Sequence, residues 1–301
     1  MGNDLTKIRY DFHKYNAMGN DYIVIDPAHY TKPLTKENIV LICDRNKGVG
    51  SDGILWGPVF DDYKNISLKI FNPDGSEAEK SGNGVRIFSQ YLIDAGYVSD
   101  SRFSLQTLGG EVDVACLDKN ENKFRVGMGR YTFNSEKIPV AGNQREVIYE
   151  EANIDGEILT LTCLSVGNPH CVLICKDVTP ERVKKIGPKI ETNKMFPNRI
   201  NVQIVHVLDK NNIKIEIWER GAGYTLSSGS SSCAAAIASH KLNLVYKDVN
   251  VHMQGGTVEV NIEADNYVYL TGTVKPVFRG YFDKEFEREL LGKCPNQDLQ
   301  D

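Results

Sequence analysis

Two serines raise the first chemical question of this 301-residue sequence. Ser81 and Ser228 each open the same local pattern: a strand, a polar loop, a Ser-Gly pair, then an apolar helix. The two copies read FNPDGSEAEKSGNGVRIFSQYL and WERGAGYTLSSGSSSCAAAIASHKL, about half the chain apart. A helix N-terminus offers unpaired backbone N–H groups and a partial positive charge, and glycine lets a ligand approach them. Two such termini facing one carboxylate would hold it from both sides. They would also stabilise the enediolate-like charge that develops when an α-proton leaves. Ser81 and Ser228 would then flank the α-carbon on opposite faces, as inversion by two proton-transfer groups requires. A serine hydroxyl is too weak an acid for that task. A cysteine thiol titrates near ~8.5, and lower at a helix N-terminus. The layout therefore predicts inversion, while the residues in place oppose it.

A second polar set surrounds these loops. Asn20 lies in MGNDYIVID, Asn72 in FNPDGS, Asn168 and His170 in GNPH, Asn201 in RINVQ, and Glu219 and Arg220 in WERG. Taken singly, the asparagines read as turn formers and Glu219-Arg220 as a surface pair. As a group they suit a zwitterion. An arginine holds a carboxylate bidentately, while a glutamate and carbonyl oxygens take an ammonium.

Mostly strands must position these residues. DYIVID, ISLKIF, RFSLQTL, VDVACL, KFRVGMG, EILTLTCLSV, HCVLIC, INVQIVHV, IKIEIWE, NVHMQG, TVEVNIE and YVYLTGTV are short β-branched or aromatic runs bounded by turn residues. Many alternate as half-buried antiparallel strands do. Helices are expected at 35–43, 83–95, 179–186 and 232–244; the second stops at Gly96 and the fourth is alanine-rich. The matching halves predict an α+β fold made of a duplicated β-rich unit, each copy wrapping one buried helix. The length favours two domains. The charged tail after Phe282 is expected to be partly disordered.

Composition narrows the partners. With 35 basic and 40 acidic residues the net charge is −5, and no basic block stands out, which argues against nucleic acid. No apolar run reaches the ~18 residues of a membrane span, and the N-terminus lacks a secretory apolar stretch. Met1-Gly2 with Thr6 matches an acylation signal weakly, a chance resemblance. A cytoplasmic protein is expected. The seven cysteines, Cys43, Cys116, Cys163, Cys171, Cys175, Cys233 and Cys294, are odd in number and irregular in spacing. They read as reduced thiols, and Cys171 and Cys175 lack the second pair a zinc site needs.

Several long motifs together resemble the diaminopimelate epimerase family, from about residue 10 to residue 281. They are KYNAMGNDYIVID, CDRNKGVGSDGIL, FNPDGSEAEKSGNGVR, VGNPHCV, INVQIV, WERGAGYTLSSGSSSCAAA and LTGTVKPVFRG. The resemblance implies two pseudo-symmetric domains, each a mostly antiparallel, β-barrel-like sheet around a central helix. They would span 1–130 with 276–301, and 131–275, with the active site in the cleft between them. It implies an isomerase of lysine and cell-wall biosynthesis that interconverts L,L- and meso-diaminopimelate without pyridoxal phosphate or metal, and a homodimer. The family's two cysteines fall at Ser81 and Ser228. Its Cys-Gly-Asn-Gly reads Ser81-Gly82-Asn83-Gly84, and its Cys-Gly-Thr/Ser-Gly reads Ser228-Gly229-Ser230-Ser231. Gly82, Asn83, Gly229 and Ser230 match the donors to the reacting carboxylate. Asn20, Asn72, Asn168, Asn201, Glu219 and Arg220 match the substrate-binding set, with Arg220 on the distal carboxylate. His170 and Glu219 match supporting residues.

Three positions depart from the family pattern. Asn16 replaces a histidine, Tyr224 a glutamate beside the second loop, and Ser231 a glycine. Tyr224 leaves open a racemase of another amino acid, such as histidine. For the serines three accounts stand: a Cys→Ser double replacement made to hold substrate without turnover, which is preferred; a natural amino-acid-binding pseudoenzyme; and a natural enzyme with altered hydroxyl chemistry. On each account the chain as written is expected to be nearly inactive.

Overall fold

The computed structural model describes residues 11–30 and 32–292. The Met1-Gly2-Thr6 pattern and Cys294 lie outside the described residues. The first half runs β1 (Asp11–Ala17), β2 (Asn20–Ile25), α1 (Lys36–Cys43), β3 (Ile54–Phe60), β4 (Ile66–Phe71), β5 (Glu77–Ala78), α2 (Gly82–Asp94), β6 (Arg102–Thr107), β7 (Gly110–Asp118) and β8 (Lys123–Arg130). After β9 (Glu150–Ile154), the second half runs β10 (Glu157–Ser165), β11 (Pro169–Ile174), α3 (Pro180–Glu191), β12 (Asn201–Asp209), β13 (Asn212–Glu219) and β14 (Gly223–Thr225). It continues through α4 (Gly229–Lys241), β15 (Asp248–Met253), β16 (Gly256–Ile262) and β17 (Tyr267–Thr273), and β18 (Lys275–Tyr281) and α5 (Lys284–Leu290) follow.

Strand pairing repeats between the halves. In the first, β1–β2 is antiparallel, β2–β3 parallel, β3–β4 antiparallel, β4–β6 parallel, and β6–β7 and β7–β8 antiparallel. In the second, β10–β11 is antiparallel, β11–β12 parallel, β12–β13 antiparallel, β13–β15 parallel, and β15–β16 and β16–β17 antiparallel. Parallel neighbours cannot be joined by a hairpin and need a crossover. Helices α1 and α3 supply the first crossover in each half, and α2 and α4 the second. Antiparallel β8–β17 pairing stitches the halves together, and β18 returns to lie along β1. The α+β architecture with a duplicated β-rich unit is as the sequence predicts.

One continuous core takes in both central helices. Every residue of α2 from Gly82 to Leu92 is buried. Its branched and aromatic side chains, among them Val85, Ile87 and Phe88, fill space against Val24, Leu55 and Leu68. In α4 the buried face is built largely of Ala234, Ala235, Ala236 and Ala238, small enough to bring the surrounding strands close. Separate cores lie beneath α3 and around α1.

Three boundaries differ from expectation. Helix α4 begins at Gly229 rather than 232, because Ser228 caps it and the serine run forms its first turn. Helix α3 continues to Glu191, past Gly187 and Pro188. Gly187 is there for closeness rather than as a breaker, since a Cβ at that point would collide with Trp218. The charged tail forms α5, whose Phe286 and Leu290 pack with Phe282 on the α1 core. Its charges occupy the outward face of a short amphipathic turn. Among the described residues no helix is long and apolar enough to cross a membrane. The six described cysteines form no disulfide.

Candidate active site

Ser81 and Ser228 are extended residues, φ −140° and −152°, that turn the chain into α2 and α4. Each caps its helix. Ser81 Oγ accepts from the Gly84 N–H at 3.0 Å, and Ser228 Oγ from the Ser231 N–H at 3.4 Å. The two termini touch: a Cβ on Gly229 would lie 3.4 Å from Gly82 Cα and 2.9 Å from Leu270 Cδ2. The small residues leave the two termini close together, with the Leu270 methyl packed against both Gly82 and Gly229.

Asn83 bridges the halves. Its Nδ2 donates to Asn20 Oδ1 and to Ser227 Oγ, both at 3.3 Å, and Ser227 immediately precedes Ser228. Asn20 Nδ2 donates to Asp52 Oδ2 at 2.9 Å. The Tyr22 hydroxyl stands 3.4 Å from Ser81 Oγ. Burial pushes its phenol up to about 12, so it carries a proton at neutral pH. Glu219, at the end of β13, stands beside Ser228. Desolvation lifts its carboxyl above the usual range, while the Ser228 hydroxyl acts against that lift. Glu219 also raises the Tyr22 phenol, and Tyr22 stands beside Ser81 as Glu219 does beside Ser228.

His170 lies behind α4 and is fully buried. Desolvation pushes its imidazole down to about 3, so the ring is neutral. Its Nε2 is 2.9 Å from Asn168 Oδ1, and Asn168 Nδ2 donates to Ser230 Oγ at 3.3 Å. On its other side the ring faces Gln203, whose Nε2 donates to Ser231 Oγ at 3.0 Å. The first turn of α4 is thus held through both Ser230 and Ser231. Ser231, where the resemblance leads one to expect glycine, is used as an acceptor.

The Glu219-Arg220 turn hangs from Glu191, the last residue of α3. This buried carboxylate accepts from Trp218 Nε1 at 2.7 Å, the Gly221 N–H at 3.0 Å and Arg199 Nη1 at 3.3 Å. Arg220 is exposed, and its Nη1 donates to the Asn198 carbonyl at 3.1 Å.

Two expected members are otherwise engaged. Asn201 accepts from the Arg220 N–H at 2.9 Å and donates to the Pro169 carbonyl at 2.8 Å, so it frames the Arg220 turn. Asn72 Nδ2 donates to Ser76 Oγ at 3.0 Å within the β4–β5 turn, while Asn83 and Asn20 pair with each other. Asn16 Oδ1 accepts from the Gly19 N–H at 3.1 Å and secures the β1–β2 turn. Tyr224 pairs opposite Trp218 across β13–β14 and therefore lies on the α3 face, away from Glu219. Its hydroxyl donates to buried Glu216 at 2.9 Å, and Lys184 covers its ring.

Sequence reasoning missed Tyr22, Asp52, Glu191, Gln203 and Ser227. Tyr22 shares a strand face with Asn20, so alternation along GNDYIVID held a signal. Nothing local marks Glu191 or Gln203, whose roles arise from distant packing. Two cavities, about 370 Å³ between α1 and α5 and about 810 Å³ near His240 and Tyr246, lie away from all these residues.

Comparison with known proteins adds to this geometry. The sequence pattern of the family described as diaminopimelate epimerase matches residues 12–134 and 162–277. The chain is 49% identical over 274 residues to "Diaminopimelate epimerase 2" of Nostoc sp., covering 91% of this chain and 96% of that protein. It is 39% identical over 271 residues to the diaminopimelate epimerase of Caldanaerobacter subterraneus, covering 89% of this chain and 98% of the relative. Among solved structures, a probable proline racemase from Agrobacterium radiobacter with bound carbonate aligns with TM-score 0.64 at 12% identity, over 91% of this chain and 93% of that one. A PhzF-family phenazine biosynthesis protein from Bacillus anthracis aligns with TM-score 0.63 at 15% identity, over 91% of this chain and 99% of that one. These two likenesses concern the fold.

Proposed function

The chain belongs to the diaminopimelate epimerase family, and from that premise we propose that it binds diaminopimelate between the N-termini of α2 and α4. The reacting carboxylate would take the backbone N–H groups of Gly82, Asn83, Gly229 and Ser230. Ser81 and Ser228 would stand at opposite faces of the α-carbon. Asn20, Asn168, Glu219 and Arg220 would receive the rest of the ligand, joined by Asn72 and Asn201 on giving up their bonds to Ser76 and to Pro169 and Arg220, with His170 and Glu219 supporting the loop at Ser228. The observation that carries this reading is the close approach of Gly82 and Gly229, each directly after a capping serine.

The chemistry as written is nearly silent. Loss of a positioned acid or base commonly costs ~10²–10⁴-fold, and both are altered here. The reading includes two domains, 1–130 with 276–301 and 131–275, and needs no pyridoxal phosphate. It places the protein in the cytoplasm, in lysine biosynthesis, and as a homodimer. Exposed Val277 and Phe278 on β18 suit such a pairing. The orientation of Tyr224 toward α3 removes the main reason to favour another amino acid. A binding-only pseudoenzyme stays as the second reading, favoured by the helix-capping bond each serine already makes.

Calorimetric titration of meso-diaminopimelate into the chain as written tests the proposal. The expected result is saturable binding with no solvent-proton exchange at the α-carbon. Arg220→Ala should weaken this ligand at least tenfold and leave alanine, which lacks a distal carboxylate, unchanged. No heat of binding and no shift in melting temperature with ligand would end the proposal.

A further inference from the structure

Arg86 lies on α2, one turn beyond the Ser81 cap, and is 0% exposed. Its Nη2 donates to Asn83 Oδ1 at 2.7 Å. Among the described residues its Nε and Nη1 have no hydrogen-bond partner. Among the described residues no carboxylate pairs with it. The charge-bearing neighbour is the Cys233 thiol of α4, which burial pushes up to about 12 and so keeps neutral. The guanidinium reaches across to the second half, where Gly272 on β17 makes room: a Cβ there would lie 3.1 Å from Arg86 Cζ. Other buried charges are treated differently. Glu191 collects three donors, Glu216 two and Asp26 two tyrosine hydroxyls.

An unpaired buried cation is costly, and here it sits behind two helix termini that are themselves electropositive. In the empty protein these like charges oppose one another. An anion at the termini would relieve all of them at once, because charges interact over long range where water is excluded. Arg86 also fixes the polarity of Asn83. With Oδ1 turned inward to the guanidinium, the donor end must face Asn20 and Ser227.

We infer that Arg86 is a positioning residue and fixed charge that aligns Asn83 and strengthens carboxylate binding at the two helix termini. This deepens the proposed function and rests on it. The test compares Arg86→Met and Arg86→Lys with the unaltered chain, by melting without ligand and by titration with meso-diaminopimelate. Arg86→Met should melt at or above the parent yet bind at least tenfold more weakly. Arg86→Lys should recover part of the affinity at pH 7 and lose it toward pH 9, since a buried lysine gives up its proton far more readily than arginine. Affinity of Arg86→Met within twofold of the parent would overturn the inference. So would a large loss of melting temperature with no pH-dependent recovery in the lysine variant. If the parent binds no diaminopimelate the proposed function falls, and the empty-protein comparison still judges the charge: a methionine variant melting below the parent contradicts it.

Discussion

A thiol at position 81 or 228 would be a poorer helix cap and a better acid than the hydroxyl now there. Sulfur accepts hydrogen bonds weakly, whereas serine is among the preferred caps. Both serines therefore serve their helices well and the proposed proton transfer badly. His170 shows the other side of burial. Its folded pKa, about 3, lies below the ordinary value of 6.5. The unfolded chain takes up the proton first as pH falls. The stability this site contributes is complete above pH 6.5 and is lost on acidification toward pH 3. Urea denaturation across that window should show up to about 1.4 kcal/mol lost per pH unit from this group. His170→Gln should show a shallower slope, and equal slopes would mean the imidazole is not buried neutral. Much of this residue set was legible as positions because it is carried by ordered motifs: Asn83 reaches the loop of Ser228, Glu219 stands by Ser228, and His170 reaches the first turn of α4 only through Asn168. Asn201 and Asn72 were legible as positions but not as partners, since their amides serve the frame. The orientation of Tyr224 depends on register across β13–β14, which sequence spacing leaves open.

Helices α2 and α4 carry matching entrances because the same physical problem is solved twice. A capping serine, a glycine for close approach, then an apolar turn brings a positive terminus to the cleft without a side chain in the way. The sequence pattern exposed this pairing, although the start of α4 was placed late because a serine run resembles a loop. The extension of α3 past Pro188 was hidden for a related reason: Gly187-Pro188 reads as a stop, and only the proximity of Trp218 explains it. The caps give a prediction at this scale. Replacing Ser81 and Ser228 together by cysteine should cost about 1–4 kcal/mol of stability, from about 0.5–2 for each cap lost. Chemical denaturation reads this directly, and a double variant as stable as the parent would show that the two capping bonds contribute little.

Two copies of one strand pattern, joined by β8–β17 and closed by β18 on β1, bring loops from distant parts of the chain to a single place. The tips of the two halves also meet, for a side chain at Gly255 would collide with the Met18 carbonyl. A ligand held between the two halves would be screened from water. The consequence is chemical. If residues 81 and 228 face one α-carbon, thiols placed at both should support inversion, while either thiol alone should not complete it. The decisive measurement follows the α-proton of L,L-diaminopimelate in deuterium oxide with the Ser81→Cys, Ser228→Cys double variant. We expect deuterium at the α-carbon together with formation of the meso isomer, each at least ~10²-fold faster than with the parent chain. A folded double variant that binds diaminopimelate yet exchanges no α-proton would contradict the shared site.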